Sequence, residues 1–273
     1  MPEVEVRVPK EDEDMSEFTD VMMEAWDGMP ESEVIPSHVF EASRETGNVL
    51  GAYMDGELVG LAYQIPDMEE EGVIHSHAVG VASEHAGEGI GEQIKRGQRQ
   101  HAVEKGFDTV EWTYDPLLGM NANLNIGKLG GKVSEYREDV YDSDNETTAG
   151  ETPADRFVVE WDLESDHVQQ TLEGEDRNYE PETVLSAEGP QLDLENSVVQ
   201  YLDGEYELGD VPEGTVAVQI PRDRSKAEEA GTEQEWRYAT REAFQTLFDE
   251  GFEVVGFRTP GEDYDSNTYI LER

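Results

Sequence analysis

The sequence predicts an α/β fold: a mixed, partly antiparallel sheet flanked by helices, followed by a second, smaller α/β domain. Three observations carry this. Short runs alternate apolar and polar residues with period two, amphipathic stretches of helical period lie between them, and an Asp-Gly pair joins two of the runs as a hairpin turn.

Val4, Val6 and Val8 alternate with charge and read as a first strand. Met15 to Trp26 carries Phe18, Val21, Met22, Ala25 and Trp26 at helical spacing, with Ser16 near the start. Ser37 to Thr46 reads as a second helix closed by Gly47. Val49–Met54, the Asp55-Gly56 turn and Leu58–Ile65 form a hairpin, and Val73–Val81 is the next strand. A glycine-rich turn then opens a long helix to about Gly106, followed by a strand Thr109–Tyr114 that ends at Pro116. Asn121–Leu129 looks helical and stops at Gly130-Gly131, before strands Lys132–Tyr141 and Arg156–Leu163. Beyond an acidic stretch, Val198–Leu202 is apolar, Val216–Ile220 is a strand, about Ala227–Glu250 is a helix, and Val254–Phe257 and Tyr269–Leu271 are strands. Trp236, Phe244, Phe248 and Phe252 recur at helical spacing and read as core. The segments 104–112 and 249–257 share a helix end, Gly-Phe and a strand, which reads either as a degenerate repeat or as two similar helix ends.

The chain has 273 residues with 65 acidic and 19 basic side chains, a net charge of −46. Leu, Ile, Val and Phe number 58, just above the ~20 % of a chain below which a highly charged sequence stays disordered, so a lean core can form. A charge of this sign opposes unspecific binding to nucleic acid and to anionic membranes, and neither is expected as a partner. With no cysteine, disulfides, thiol nucleophiles and Cys-type zinc sites are excluded. No apolar run approaches the ~18 residues of a spanning helix, and Met1–Lys10 lacks a signal-peptide core, so a soluble cytoplasmic protein is expected. The acids are spread along the whole chain among apolar residues, and only 6 of the 19 basic residues are lysine. That distribution fits a folded surface adapted to molar salt better than a disordered acidic tail or a nucleic-acid mimic.

The most informative segment is Val79-Gly80-Val81-Ala82-Ser83-Glu84-His85-Ala86-Gly87-Glu88-Gly89-Ile90-Gly91. A strand feeding a turn of alternate glycines that opens a helix presents backbone amides and positive helix potential to a phosphate. Lys95, Arg96, Arg99 and Lys105 cluster on the same helix and point to an anionic ligand, the alternative being a solvated helix face. The P-loop lysine is absent, and the glycine spacing is not that of a dinucleotide loop. His75 and His77 alternate with Val79 and Val81 on one strand face, the face expected toward a ligand. The His75-x-His77 pair has no third ligand at a convincing spacing, so no metal is expected. Asn145-Glu146-Thr147 matches a glycosylation sequon and, without a secretion signal, carries no weight.

Gly89 and Gly91 match the glycines of the Gln/Arg-x-x-Gly-x-Gly/Ala motif, with Ala86 at the Gln/Arg position, and Asn121-Ala122 precedes Leu129-Gly130 before a strand. Together with the element order, these resemble the acyl-CoA-binding region of GNAT acyltransferases. Ser76-His77, Gln98-Arg99, Trp112 to Leu117 and Asn121 to Asn125 are further similar to a subgroup of predicted GNAT enzymes of about this length, some linked to amino-acid N-succinylation. The resemblance implies a GNAT acyl-CoA-binding domain at 1–165; beyond it, the acid-rich stretch poor in apolar residues reads as an acidic linker at 166–190, and 191–273 as a C-terminal α/β domain, readable as a degenerate GNAT-like half. It also implies an acyl-CoA-dependent N-acyltransferase in which a small amine or amino acid attacks the thioester of acetyl-CoA, or of another acyl-CoA such as succinyl-CoA. Implied coenzyme contacts are Val79, Gly80, Val81, Ala86, Gly87, Glu88, Gly89, Ile90, Gly91, Asn121 and Asn125. His77 and Asp115 are the candidate bases, against the plainer readings of a structural histidine and a cap before Pro116. The family's helix tyrosine falls at Ile126, which leaves Tyr114 and Tyr136 as substitute acids. A homodimer is a further expectation. The alternatives are an amino-acid N-succinyltransferase and an acyl-CoA-binding module without turnover.

Overall fold

The computed structural model describes residues 3–26, 29–30, 33–140, 153–175, 178–261 and 266–273. Tyr141 and the sequon at Asn145 lie outside the described residues. The chain forms two compact units, 1–112 with 162–164 and 113–161 with 165–273.

The first unit holds β1 (Glu5–Arg7), α1 (Ser16–Ala25), α2 (Ser37–Thr46), β2 (Val49–Met54), β3 (Glu57–Pro66), β4 (Val73–Val81), α3 (Ile90–Lys105) and the start of β5 (Thr109–Tyr114). Its strands follow the order β1-β2-β3-β4-β5, antiparallel except for the parallel β4–β5 pair. Asp55 and Gly56 both have positive φ (54° and 92°), which the two-residue hairpin turn requires. On one face of the sheet, Phe18, Val21 and Met22 of α1 and Phe40 of α2 bury against Val49, Tyr53 and Leu61. On the other, Ile90 and Ile94 of α3 bury against Leu50, Ala52 and Ala62.

The second unit holds α4 (Gly119–Ala122), which runs on into a π-helical turn (Asn123–Lys128), then β6 (Lys132–Arg137), β7 (Arg156–Asp162), α5 (Asp166–Leu172), β8 (Glu182–Leu185), β9 (Ala187–Glu188) and β10 (Gln191–Leu192). It continues with β11 (Val199–Leu202), β12 (Glu205–Leu208), β13 (Val216–Ile220), α6 (Arg224–Ala230), α7 (Glu233–Asp249), β14 (Glu253–Arg258) and β15 (Asn267–Glu272). Six of these strands form a sheet in the order β7-β6-β14-β15-β13-β8, while β9–β10 and β11–β12 are separate hairpins. Phe157, Phe244 and Tyr269 are its aromatic centre, with ring centroids 4.6 to 5.4 Å apart.

This division differs from a boundary at 165. Tyr114 and Asp115 find their partners at Tyr269, Arg224 and Arg237, which draws the end of β5 into the second unit. The stretch 166–190, expected as a linker, carries α5 and β8. The single helix expected over 227–250 is two, parted at Gly231 with φ 71°.

The similarity between 104–112 and 249–257 has a local cause. After α3, the amide of Phe107 bonds to the carbonyl of Ala102 and that of Gly106 to Val103; after α7, Phe252 bonds to Leu247 and Gly251 to Phe248. Both are Schellman caps with glycine in the left-handed region (φ 85° at each). The strands they lead into differ, since β5 is parallel to β4 whereas β14 is antiparallel to both β6 and β15. A different repetition does occur inside the second unit. Val133 of β6 pairs with Val254 of β14, and each is followed by a one-residue bulge (Ser134 against β7, Val255 against β15). The β6–β7 and β14–β15 pairs are thus arranged symmetrically about the β6–β14 junction.

Candidate active site

In the first unit, β4 leads through Ala82 into a 3₁₀ turn (Ser83–His85), an extended Ala86 and the glycine turn. Gly87 and Gly89 both have φ 83°, a conformation that favours glycine and aims successive amides to one side. Gly89 is the N-cap of α3 and no side chain caps the helix there. Its first-turn amides are the donors that an anion at a helix start would take. Nothing lies within 4 Å of a Cβ placed on Gly87, so the outer side of the turn is open. The carboxylates beside it are paired, Glu88 with His85 at 3.1 Å and Glu92 with Arg96 at 3.0 Å. The side chain of Ile90 is buried, and Val79 and Val81 pack with it on the α3 side, so these three offer a ligand their backbone alone. Gly80 lacks a side chain for a packing reason, since a Cβ there would stand 2.7 Å from the ring of Trp26.

The four cations of α3 do not gather at this turn. Arg96 pairs with Glu92, Arg99 donates from Nε to the Leu163 carbonyl at 2.8 Å, and the Lys105 stem lies by Gly47 at the far end of the helix. Lys95 points into the core with 4 % of its surface exposed. Its Nζ donates to Ser76 Oγ at 2.9 Å and Gln98 Oε1 at 3.1 Å, and stands 3.6 Å from the centre of the Trp112 ring. The cation cluster read from the sequence is therefore two bonded arginines, a lysine at the far end of the helix and one interior amine.

Burial holds the Lys95 amine well below the ordinary lysine range. The Trp112 face favours the charged form by about 2 kcal/mol, whereas burying an ammonium costs several. Between that depressed value and the ordinary ~10.4, the unfolded chain binds a proton that the folded one does not, so this lysine makes stability rise with pH. Lys95→Met removes the contribution. In urea titrations the advantage of the methionine variant at pH 7 is expected to shrink by pH 10; parallel behaviour at the two pH values would refute the lowered Lys95 pKa.

At the middle of β4 the alternation breaks. Tyr63 of β3 pairs with Ala78 and Gln64 with Ser76, so His77 is an extra residue in a β-bulge. The bulge moves the side-chain parity by one. Ser76 faces α3, where it meets Gln98, and after the bulge Val79 and Val81 face α3. His77 is exposed on the other side, its ring edge-on to Tyr63 at 5.7 Å and 6.3 Å from His75. The single face expected for His75, His77, Val79 and Val81 is thus two. At the same level β4 leaves β5: the parallel register pairs Val73 to His75 with Thr109 to Glu111 and goes no further.

The candidates from the second unit are tied into its core. Asp115 Oδ1 accepts from the Leu117 amide (2.9 Å) and Arg237 (2.9 Å), and Oδ2 from Arg237 and Arg224 (2.8 Å each). Burial alone would raise its carboxyl, but the hydrogen bonds and charge of Arg237, the Leu117 amide and Arg224 outweigh it and hold the group below the usual carboxylate range. A carboxylate held low with both oxygens occupied is a poor proton acceptor. Tyr269 donates its one proton to the Pro116 carbonyl at 2.7 Å, so the Tyr114 hydroxyl, 3.1 Å from Tyr269, is the donor to Tyr269. The Tyr136 hydroxyl donates to Asp155 at 2.7 Å. Burial first, and for Tyr136 the charge of Asp155, push both phenols up. Of the other two positions, Asn121 is exposed and Asn125 is buried, its carbonyl accepting from Gly131 at 2.9 Å. Ile126 is core. Among the described residues no group of three or more His, Asp or Glu side chains could hold a metal ion.

Residues 12–121 match the model of the acetyltransferase (GNAT) family. The fold is similar to that of yncA from Salmonella typhimurium, solved with its cofactor acetyl-CoA (17 % identity, TM-score 0.49, 60 % of this chain and 95 % of that one). Diaminobutyrate acetyltransferase EctA from Paenibacillus lautus, in complex with L-2,4-diaminobutyric acid and coenzyme A, is similar at 16 % identity and TM-score 0.45, over 61 % of this chain and 99 % of that one. The ribosomal-protein-S18-alanine N-acetyltransferase of Escherichia coli is similar at 10 % identity and TM-score 0.46, over 59 % and 94 %. No curated protein sequence matches the chain.

Proposed function

We propose that the chain is an acyl-CoA-dependent N-acyltransferase, with acetyl-CoA as donor and a small amine or amino acid as acceptor. One observation carries this: β4 departs from β5 after His75 and runs straight into an uncapped glycine turn at the start of α3. A bound acyl-CoA supplies an activated thioester and a leaving thiol, which near its pKa of ~8.5 departs without a strong acid. The amides around Gly87 to Gly91 hold the pyrophosphate. The main chain of β4 beyond His75, no longer paired to β5, polarises the acyl carbonyl around Val79 to Val81. His77, exposed on the bulge, takes the proton of the attacking amine directly or through water. Glu92, paired with Arg96, presents little net charge to an anionic ligand.

His77→Ala is expected to lower kcat by about 10²- to 10⁴-fold while leaving the acetyl-CoA dissociation constant unchanged. Thiol release and a binding isotherm measure the two separately, and an unchanged kcat would remove His77 from the mechanism. The reading as a whole is tested by thermal unfolding in molar KCl with acetyl-CoA, succinyl-CoA, NAD and ATP. At 100 times its dissociation constant a specific ligand adds about 2.7 kcal/mol. A shift with one acyl-CoA alone identifies the donor; no shift with either overturns the reading. A second reading, an acyl-CoA-binding module without turnover, is favoured by one observation: Tyr114, Asp115 and Tyr136 are all held within the core. Acyl-CoA binding without thiol release across a panel of amines would select it.

A further inference from the structure

In the second unit, α7 and the β11–β12 hairpin enclose an open cavity of about 730 Å³. Tyr201 and Tyr206 are cross-strand partners, so their side chains stand on one face of the hairpin, with ring centroids 4.9 Å apart at 53°. Tyr238 of α7 brings a third ring to the lining. Three of the 11 tyrosines of the chain therefore meet in one cavity. Two of them are open to solvent, Tyr201 being 56 % and Tyr238 39 % exposed.

Carboxylates outnumber cations around these rings, and the guanidinium of Arg241 stands 5.4 Å from the centre of the Tyr238 ring. Glu205, Glu235 and Glu242 line the cavity, and its one cation among the described residues, Arg241, is already paired. Arg241 bonds to Asp155 at 2.6 and 2.9 Å and to Glu138 at 2.7 Å. The Tyr206 hydroxyl is pushed up to about 12 by burial and then by the charge of Glu235, so that carboxylate is felt at the ring. Aromatic faces carry negative potential, and carboxylates beside them add to it. An anion is repelled here, and a neutral apolar molecule would gain nothing from the glutamates. A metal ion would need several oxygens converging on one point, which no group among the described residues provides.

We propose that this cavity binds a small organic ammonium ion, a quaternary or alkylated amine held against Tyr201, Tyr206 and Tyr238 with Glu235 and Glu242 as its counter-charges. The lining belongs to the second unit and the glycine turn to the first, and the proposal stands whether or not the chain transfers acyl groups. Choline and its uncharged isostere 3,3-dimethyl-1-butanol separate charge recognition from simple apolar binding. In calorimetric titrations at fixed KCl, choline should saturate one site and the isostere should bind at least tenfold more weakly. Tyr201→Ala and Tyr238→Ala should each weaken choline about tenfold, and Tyr201→Phe should stay within about threefold of wild type. Both tyrosines are exposed, so these variants leave the core packing intact, and an unchanged circular-dichroism melt verifies it. Absence of choline saturation, equal binding of choline and the alcohol, or full affinity in both alanine variants would each overturn the proposal.

Discussion

Arg237→Leu is expected to destabilise the protein by about 3 kcal/mol at pH 7, the lower end of what removing one partner from a buried ion pair costs. Arg237 is 1 % and Asp115 6 % exposed, and the two make parallel hydrogen bonds of 2.9 and 2.8 Å. The variant leaves the Asp115 charge in the interior with only Arg224, whose side chain is 35 % exposed and shared with Glu233. The pH dependence carries the sharper signature. In the wild type the Asp115 carboxyl is held below its ordinary value, so its stabilisation is full above the unfolded value of ~3.9 and is lost as pH falls through the folded one. In the variant burial is opposed less, the folded carboxyl rises, and protonation relieves the buried charge. The difference in unfolding free energy between wild type and Arg237→Leu should therefore shrink as pH falls below about 4. Urea titrations at pH 7 and pH 3 measure it, and a constant difference would mean that Asp115 is not the group at stake.

How much of this was legible in the sequence depended on how local the cause was. The Asp55-Gly56 hairpin, the glycine turn and the stop of α3 at Gly106 follow from residues within a few positions of one another, and all three were readable. The bulge at His77 was not, because strict alternation along β4 is also what an unbulged strand would show; the extra residue is fixed by the register with β3. Charge density groups Lys95 with the helix cations, since it does not reveal which face of α3 turns inward. Its period is in hindsight a signal: Lys95 and Gln98 follow Ile90 and Ile94 on the buried side. Tyr269, the partner of Tyr114, lies 155 residues away, and Arg224 and Arg237, the partners of Asp115, lie 109 and 122 away, beyond the reach of any local pattern. The strands between 182 and 208 are two to four residues long and half of their residues are exposed, so they carry little apolar periodicity to read.

Gly89→Val should abolish acetyl-CoA binding, and the neighbouring Gly91→Ala tells why. Gly89 has φ 83° at the N-cap of α3, so a β-branched residue is strained there by about 1–2 kcal/mol or must rotate the turn and its amides out of line. That variant loses stability and ligand together, and alone it could not separate a deformed turn from a blocked one. Gly91 lies inside the helix, and a Cβ there meets only Val81 at 3.9 Å, an ordinary contact. Alanine at this position satisfies the fold and should gain about 0.4–1 kcal/mol by restricting the unfolded chain. If a pyrophosphate approaches these amides as closely as glycine permits, the added methyl nonetheless weakens acetyl-CoA binding tenfold or more. Thermal melts give the first quantity and titration with acetyl-CoA the second. A Gly91→Ala protein that is more stable and binds acetyl-CoA poorly places the ligand on the backbone of this turn. Full affinity in both variants would mean that no phosphate rests there, and the acyltransferase reading would lose its support.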